Sequence, residues 1–489
     1  MSSTRELVFI PVPAMGHLIP AVEIVRRMVA QDSRISFVTL IFKMNSDAVV
    51  TAYIKSLQSD ASFDRRIKFV ELPPLENPPD TNSTTFFERM IEDYRPIVNR
   101  ILKERIKSSR DQLAGFMVDM FCTAMMDVAE ELNVPCYVFI TSNAAFLNLT
   151  FHFQSLRDDH RVDVTEFTDP KTELDVPGFK NQVPCSVLPM VFLDKDRGCD
   201  DMLNQTKKYR EAKGILINTF MELESHAIQS LSNDPRIPTI YPIGPIIDLN
   251  AHSQDGAGGP HGDAESIRRW LDEQPTASVV FLCFGSLGSF PEDQVREMAK
   301  GLERSGHRFL WSLRGPPTAD DRFNHPTDLE NLEQVLPEGF LDRTAKVGKI
   351  IGWAPQVAIL SHPAVGGFAS HCGWNSILES LWMGVPIAAW PMYAEQQLNA
   401  FAMVKELGLA VEIWMHYKWN HRKRVSNGIV EADTIERGIK MLMDNGNDNA
   451  VRAKVQEMSE VCRRAAMEGG SSSAQLASLI EDVLHSTLD

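Results

Sequence analysis

The chain has 489 residues, 44% of them hydrophobic, which is enough for two domains with buried cores. Its formal net charge of −16 excludes a general nucleic-acid-binding protein, because that function needs a basic face. Seven widely spaced cysteines without a C-x-x-C pair favour reduced thiols in the cytoplasm over disulfides or a zinc site. We expect no signal peptide and no membrane span, because Pro11, Pro13 and Gly16 interrupt the first apolar run and no apolar run reaches about 18 residues.

Short apolar runs alternate with helical patterns through the first half of the chain. Strands are predicted at 7–11, 35–42, 116–118, 137–140 and 214–218, and helices at 19–29 and 123–132. A Gly-containing loop is predicted between the first strand and the first helix, at 14–17. Strands that alternate with helices form parallel sheets, so this half predicts a doubly wound α/β domain.

The same alternation restarts after residue 265. Strands are predicted at 278–284, 309–313 and 365–369, and helices at 292–304 and 377–383. Between the two halves, residues 248–265 are rich in Gly, Asp, Ser and His, which is typical of a linker. We therefore predict an α/β fold with two Rossmann-like, doubly wound parallel-sheet domains, residues 1–247 and 266–466, that face a cleft.

Two polar residues of the first half follow predicted strands: His17 and Asp119. In open parallel sheets, ligands bind outside the carboxyl ends of the strands. A neutral histidine can take a proton from a hydroxyl group, and a carboxylate on its other nitrogen would fix the tautomer and stabilise the imidazolium. Spacing alone leaves an alternative open, in which His17 is a loop residue and Asp119 caps a helix ahead of Thr123.

The densest set of binding groups begins at Trp353, which can stack on a flat base. Further along, Asn375 and Ser376 precede a predicted helix, and the N–H groups at a helix N-terminus attract phosphate. His371 can add a hydrogen-bond donor or a positive charge, and Glu379 can accept both hydroxyls of a ribose. The stretch predicts a site for a nucleoside, two phosphates and a polyhydroxyl ring, although Ser376 and Glu379 also fit a capping box.

This stretch closely resembles the signature box of plant secondary-product UDP-glycosyltransferases. The matching positions are Trp353-Ala354-Pro355-Gln356, His371-Cys372-Gly373-Trp374-Asn375-Ser376, Glu379, Gly384-Val385-Pro386, Trp390-Pro391 and Glu395-Gln396. The segments FIPVPAMGHLIPA, GFMVDMFC, VVFLCFGS and EGGSSSAQL also have counterparts, so the resemblance covers nearly the whole chain. It implies a GT-B fold in which residues 1–247 bind the acceptor and residues 266–466 bind the UDP-sugar. It also implies that a last helix, at 467–489, crosses back onto the first domain.

The resemblance also implies roles for single residues. His17 would be the catalytic base and Asp119 its orienting acid. The UDP-sugar-binding residues, from uracil to sugar, would be Trp353, Ala354, Gln356, Glu379, Ser286, His371, Asn375, Ser376, Trp374, Thr141, Glu395 and Gln396. The last of these, as a Gln, favours glucose over galactose. The acceptor-binding residues would be Phe87, Phe121, Phe146, Met190, Phe192 and Tyr393, an apolar lining that suits flat hydroxylated molecules.

The implied reaction is an inverting, metal-independent transfer of glucose from UDP-glucose, as co-substrate, to a hydroxyl of a small hydrophobic plant metabolite of phenolic, flavonoid or terpenoid type. The product would be a β-glucoside, formed without a cofactor or a metal by a cytoplasmic monomer. A different UDP-sugar donor and a sugar-nucleotide-binding protein without turnover stay open. So do a metal-dependent transferase using Asp194-Lys195-Asp196, and a nicotinamide-dependent oxidoreductase, for which the first loop offers only Gly16 of G-x-G-x-x-G.

Overall fold

The structure is a computed structural model that describes residues 5–42, 48–80, 86–108, 112–249, 261–317, 326–329, 331–420, 425–444 and 449–486. In these ranges two parallel β-sheets organise the chain, each with helices packed around it. Their strands are short runs of buried apolar residues, as expected for sheets that are covered on both faces. The predicted doubly wound α/β architecture is therefore confirmed.

Within the described ranges, seven strands form the first sheet: β1 (Arg5–Ile10), β2 (Ile35–Ile41), β3 (Ile67–Glu71), β4 (Gln112–Asp119), β5 (Cys136–Ile140), β6 (Gly214–Ile217) and β7 (Thr239–Pro242). They pair in the order β3-β2-β1-β4-β5-β6-β7, and every pair is parallel. The helices of this half are α1 (Met15–Gln31), α2 (Ala48–Ser59), α3 (Phe86–Ser108), α4 (Met126–Glu131), α5 (Ala144–Asp158), α6 (Gly198–Tyr209) and α7 (Ser225–Asn233).

The second sheet has six strands among the described residues: β8 (Val279–Cys283), β9 (Arg308–Ser312), β10 (Gly348–Ile351), β11 (Val365–Ser370), β12 (Ile387–Ala389) and β13 (Ala410–Glu412). Their order is β10-β9-β8-β11-β12-β13, again all parallel. The later helices are α8 (His261–Asp272), α9 (Glu292–Ser305), α10 (Leu332–Val335), α11 (Phe340–Thr344), α12 (Gln356–Leu360), α13 (Trp374–Met383), α14 (Gln396–Phe401), α15 (Ala432–Met443), α16 (Ala450–Ala466) and α17 (Ser471–His485).

The strand order of each sheet reverses at one point. In the first sheet this point lies between β1 and β4, and in the second it lies between β8 and β11. Connections leave such a pair in opposite directions, which opens a crevice at the carboxyl ends of the two strands. His17 and Asp119 lie at the first crevice, while Ser286 and His371 follow β8 and β11 at the second. The fold thus places the candidate residues of each half at its own crevice.

Several elements differ from their predicted bounds. The predicted loop at 14–17 is mostly the first turn of α1, because the carbonyl of Ala14 accepts hydrogen bonds from the N–H groups of His17 and Leu18. The helix predicted at 123–132 is a 3₁₀ turn, Thr123–Met125, followed by α4. Strands β3, β7, β10, β12 and β13 were not predicted, because runs of three to five residues carry little periodic signal.

The connection between the halves lies partly outside the described residues. Of the predicted linker 248–265, residues 250–260 are not described, and 261–265 already belong to α8. At the other end of the chain, α17 packs against the first sheet, where Leu479 and Val483 share a core with Phe9. The carboxylate of Asp482 accepts hydrogen bonds from the Tyr137 and Tyr241 hydroxyls at 2.9 and 3.2 Å, which anchors this helix on the first half.

A search of the described helices finds none with the length and apolar character needed to cross a membrane.

Candidate active site

A histidine and a carboxylate meet at the crevice of the first sheet. The Nδ1 atom of His17 lies 2.8 Å from Oδ2 of Asp119, and the other carboxylate oxygen accepts the backbone N–H of Phe121 at 3.0 Å. The Thr141 hydroxyl lies 3.2 Å from the same Nδ1 atom. Asp119 is fully buried, whereas the His17 side chain is 22% exposed. A carboxylate can only accept, so neutral His17 carries its proton on Nδ1 and presents the Nε2 lone pair on the other side of the ring.

The charge around this pair favours protonation of His17. Burial lowers the pKa of its imidazole, but the attraction of Asp119, the hydrogen bond to Asp119 and the attraction of Glu395 raise the pKa more, so that it lies above 6.5. Glu395 belongs to the second half of the chain, and its Oε1 atom accepts the hydroxyl of Ser142 at 3.3 Å. The base candidate of one domain therefore faces a carboxylate of the other across the cleft.

At the crevice of the second sheet, two glycines let the backbone approach the ring of His371. Gly285 has φ +78°, and an added Cβ at Gly285 or at Gly373 would lie 2.5 Å from Nε2 of His371. The exposed Ser286 follows at the carboxyl end of β8. Burial and the positive charge of Arg314 lower the pKa of His371 to about 4, so this ring is neutral at pH 7. Of the two roles expected for His371, a hydrogen-bond donor or a positive charge, the lowered pKa favours the first.

Helix α13 directs its free N–H groups into the same crevice. Its N-cap is Gly373, with φ −60° and ψ 139°, so no side chain caps the helix. The first intrahelical hydrogen bond runs from Ile377 N–H to Gly373 O at 3.0 Å. The N–H groups ahead of it are available to an anion. The capping-box alternative is wrong, because Ser376 lies inside the helix and not at its cap.

The predicted ribose-binding residues contact each other. The Nε2 atom of Gln356 donates to Ser376 Oγ at 2.8 Å and to Glu379 Oε2 at 2.6 Å. Burial and the nearby charge of Asp248 raise the pKa of Glu379 to about 7, against the hydrogen bond from Gln356, which lowers it. Beside them, the Trp353 side chain is 40% exposed, which leaves its ring open for stacking, and Ala354 next to it is partly buried.

Asn375 connects the two halves of the chain. Its Nδ2 atom donates to the carbonyl of Gly16 at 2.8 Å. That carbonyl lacks its ordinary helical partner because Pro20, four residues later in α1, has no N–H. The Oδ1 atom of Asn375 is buried and has no hydrogen-bond partner among the described residues. Asn375, predicted to bind phosphate, thus also connects α13 to α1, the helix that carries His17.

Gln396 has only part of its amide left for a sugar. Its Oε1 atom accepts the backbone N–H groups of Met392 and Tyr393, both at 3.0 Å, and its side chain is buried. Only the amide NH₂ remains, so Gln396 can act on a sugar hydroxyl as a donor and not as an acceptor.

Two further contacts join the halves beneath the cleft. The indole N–H of Trp374 donates to Asn218 O at 2.6 Å, so this buried ring serves the domain contact. Asn143 donates from Nδ2 to Asn399 Oδ1 at 2.8 Å, and Asn399 in turn donates to Cys372 O at 3.0 Å. Through these fully buried amides, the start of α5 connects to the loop that carries His371.

The predicted acceptor residues have different environments. The Phe121 ring lies 5.5 Å from that of His17, which places an aromatic wall beside the base. Phe192 has no exposed surface and packs on Phe153 at 5.1 Å, so its ring belongs to the core and not to a pocket wall. Phe146 is 6% exposed and lies 6.4 Å from Phe192. The remaining candidates are partly buried: Phe87, Met190 and Tyr393.

Sequence reasoning missed Arg314 and Asn399. Arg314 stands two residues after the end of β9, so the rule that singled out Ser286, a polar residue just past a strand, would also have found it. Asn399 gave no such signal, because its partners Asn143 and Cys372 are distant in sequence.

Comparison with known proteins identifies this arrangement. A family model described as UDP-glucoronosyl and UDP-glucosyl transferase matches residues 241–419. UDP-glycosyltransferase 71A15 of Malus domestica is 49% identical, over 99% of this chain and 100% of its own. UDP-glucose flavonoid 3-O-glucosyltransferase 6 of Fragaria ananassa is 48% identical, over 99% of each chain.

Solved structures agree with these relatives. A UGT transferase of Siraitia grosvenorii in complex with UDP has 44% identity and a TM-score of 0.86, over 98% of this chain and 100% of its own. UGT71G1 of Medicago truncatula, complexed with UDP-glucose, has 39% identity and a TM-score of 0.85, over 98% of both chains. The similarity thus spans both domains and the cleft between them. The chain belongs to the plant UDP-glycosyltransferases and is a glycosyltransferase of the GT-B fold.

Proposed function

We propose that the protein transfers glucose from UDP-glucose to a hydroxyl group of a small hydrophobic plant metabolite, with inversion at the anomeric carbon and without a metal. The observation that carries the proposal is the His17–Asp119 pair, with its 2.8 Å hydrogen bond, which faces Glu395 of the signature box in the second domain. A protein that only binds a sugar nucleotide needs the signature box but not a base held in one tautomer.

The steps follow from the geometry of the cleft. The acceptor hydroxyl gives its proton to Nε2 of His17 while its oxygen attacks the anomeric carbon, and Asp119 stabilises the imidazolium that forms. The bond from the anomeric carbon to the phosphate oxygen breaks on the opposite face, so the product is a β-glucoside. The leaving diphosphate lies at the N-terminus of α13, where free N–H groups stabilise its charge.

Glucose and an aromatic acceptor are the proposed substrates. The name of the Fragaria ananassa relative includes UDP-glucose and flavonoid, and the Medicago truncatula structure contains UDP-glucose. Phe121 beside His17 suits a flat acceptor that stacks while its hydroxyl points at the base. In this proposal the NH₂ group of Gln396, whose carbonyl oxygen accepts two backbone N–H groups, donates to a glucose hydroxyl.

The reaction is proposed for a cytoplasmic monomer. All seven cysteines lie in the described residues, and each is buried and outside any disulfide, as suits a reducing compartment. The Asp194-Lys195-Asp196 string, the basis of the metal-dependent alternative, uses a carboxylate oxygen of Asp194 to accept the N–H of Asp196 at 2.8 Å. This hydrogen bond occupies one of the oxygens that the alternative assigns to a metal ion.

The test is turnover of UDP-glucose against a panel of flavonoids, simple phenols and terpenoids in the presence of a chelator, with UDP release and product mass as readouts. His17→Ala is the main variant. His362→Ala is the matched control, because His362 also pairs with an aspartate, at 3.1 Å from Asp272, but away from the cleft. A glucoside made by the wild type and the control but not by His17→Ala supports the proposal. Unchanged turnover in His17→Ala, or no product with any acceptor, refutes it.

A further inference from the structure

Arg314 contacts the loop that follows β8, which carries Gly285 and Ser286. It follows β9 by two residues and forms a short antiparallel pair, Arg314–Gly315 with Thr327–Asp328. Its guanidinium donates to the carbonyl of Gly285, the residue before Ser286. The Gly285 backbone in turn lies against His371, close enough that an added Cβ would be 2.5 Å from the ring. Arg314 is therefore next to both sides of the crevice between β8 and β11.

The charge of Arg314 reaches the groups that surround this crevice. It lowers the pKa of His371, after burial, and it also lowers that of Cys283 and of Tyr393, for both of which burial is the larger and opposite effect. Arginine stays protonated at any physiological pH. With a fixed cation already present, His371 does not take a second positive charge.

Arg314 lacks an acidic partner. Its side chain is partly buried, yet among the described residues no carboxylate lies within 4.0 Å of it. Two other partly buried arginines of the chain are paired with carboxylates, Arg105 with Glu6 at 2.6 Å and Arg27 with Glu23 at 3.4 Å, whereas Arg308 donates to the amide oxygen of Gln274. A cation withdrawn from water is normally balanced by an anion. The natural balance for Arg314 is an anion that occupies the crevice.

We propose that Arg314 supplies the positive charge that faces the diphosphate of the sugar-nucleotide donor. The inference rests on the proposed function and adds a residue to it. As the bond from the anomeric carbon to the phosphate oxygen breaks, that oxygen keeps the electron pair and the diphosphate gains a negative charge. The acceptor proton goes to His17. Arg314 stabilises the new charge, so its effect is larger on glucosyl transfer than on the binding of an uncharged nucleoside.

The experiment compares UDP with uridine, which lacks the phosphates, as calorimetric ligands of the full chain. Arg314→Gln keeps a hydrogen-bond donor near Gly285 but removes the charge, and Arg314→Lys keeps the charge. Arg308→Gln is the matched control, since Arg308 lies at the other end of β9 and bonds Gln274. We expect Arg314→Gln to weaken UDP about 10- to 100-fold, to leave uridine unchanged, and to flatten the salt dependence of UDP binding. Arg314→Lys should restore most of the UDP affinity. The turnover numbers of the wild type, Arg314→Lys and Arg314→Gln should fall in the same order as their UDP affinities.

Two results would overturn the inference. Unchanged UDP affinity and turnover in Arg314→Gln would show that the charge does not act on the diphosphate. An equal loss for UDP and uridine would make Arg314 a support of the loop. If Arg314→Gln does not fold, Arg314→Lys carries the test, because it keeps the charge and should retain most of the UDP affinity and its salt dependence, and an equal loss of affinity for UDP and uridine would contradict the idea. A wild-type protein that binds neither ligand would refute the proposed function itself, whereas a loss confined to the variants concerns Arg314 alone.

Discussion

The two histidines of the cleft show how a side chain's surroundings decide its chemistry. Both are withdrawn from water, which lowers the pKa of an imidazole. At His17 the attraction of Asp119 and Glu395 overcomes burial, and the pKa is raised above 6.5. At His371 the charge of Arg314 adds to burial, and the pKa falls to about 4. In the proposed mechanism, His17 therefore binds the proton that the acceptor loses, while His371 stays neutral beside the phosphates.

A first prediction concerns the pH dependence of turnover. The base must be neutral to react, so kcat/KM should fall as the pH drops through the pKa of His17, with its midpoint above 6.5. Asp119→Asn removes the charge that raises this pKa, so the midpoint should move to lower pH. The high-pH plateau of kcat/KM should drop about 10²- to 10⁴-fold, because Asn does not fix His17 in the tautomer that presents the Nε2 lone pair to the acceptor. The control Asp272→Asn, at the outlying His362 pair, should leave the profile in place. A midpoint that stays fixed in Asp119→Asn would contradict the assignment.

A second prediction concerns Glu379 and the ribose. With its pKa raised to about 7, this carboxyl is half protonated near neutral pH, and the protonated form accepts hydroxyl groups less well. Uridine affinity should therefore increase about tenfold from pH 6 to pH 8, if only the carboxylate binds. Glu379→Gln should bind uridine weakly at every pH. Uridine is the ligand of choice for calorimetry because it has no phosphate that titrates in this range. A pH dependence that persists in Glu379→Gln would assign it to another group.

Among the secondary-structure elements, the strand ends carry the site. In each sheet, the two strands at the point where the order reverses have connections that leave in opposite directions. The residues just past these two strands lie in one crevice. Glycine is required where the backbone turns against a functional ring, as at Gly285, with φ +78°, next to His371. At Gly306 a similar angle, φ +72°, closes α9, with no described atom near an added Cβ.

These two glycines give a third prediction. Both Ala variants should lose about 1–2 kcal/mol of stability from the left-handed backbone conformation. Only Gly285→Ala places a methyl group 2.5 Å from the His371 ring, so only this variant should displace the ring. UDP affinity should then fall at least about tenfold, or 1.4 kcal/mol, in Gly285→Ala and stay unchanged in Gly306→Ala. Thermal unfolding and UDP calorimetry on both variants measure the two effects separately. Equal UDP affinity in the two variants would remove His371 from the donor site.

Sequence pattern predicted five strands of the first sheet, three of the second and parts of helices α1, α4, α9 and α13, and it placed His17 and Asp119 at strand ends, but it did not predict other helices, including α3 with its 23 residues. It missed the first turn of α1, because the predicted helical pattern begins only at Ile19 while the hydrogen bonds begin at Ala14. It also gave no account of Pro20, whose missing N–H leaves the Gly16 carbonyl to Asn375. Local pattern identifies an element, but the partner of an unpaired backbone group is decided by packing.

For the two domains together, sequence predicted the pair of doubly wound sheets but not the contacts that join them. Asn375 and Gly16 are 359 positions apart, and Asn143 and Asn399 are 256 apart. No spacing rule connects residues at such distances, so their roles as links between domains emerge only from the folded chain. Because these links involve the first turn of α1, which carries His17, and the loop that carries His371, the closeness of the two crevices depends on them.

The Trp374 indole is the link that a single substitution tests most directly. Trp374→Phe keeps the backbone at the N-terminus of α13 but leaves the buried Asn218 carbonyl without its donor, which should cost about 1–3 kcal/mol in the free energy of unfolding measured with urea. Trp382→Phe, on the same helix, is the control, because the indole N–H of Trp382 has no hydrogen bond among the described residues. This variant should lose less than about 1 kcal/mol in the free energy of unfolding. If the indole also holds the domains in register, Trp374→Phe should lower kcat while uridine affinity, which depends on the second domain alone, is retained. A loss of uridine affinity equal to the loss of turnover would instead show that Trp374 supports only the donor domain.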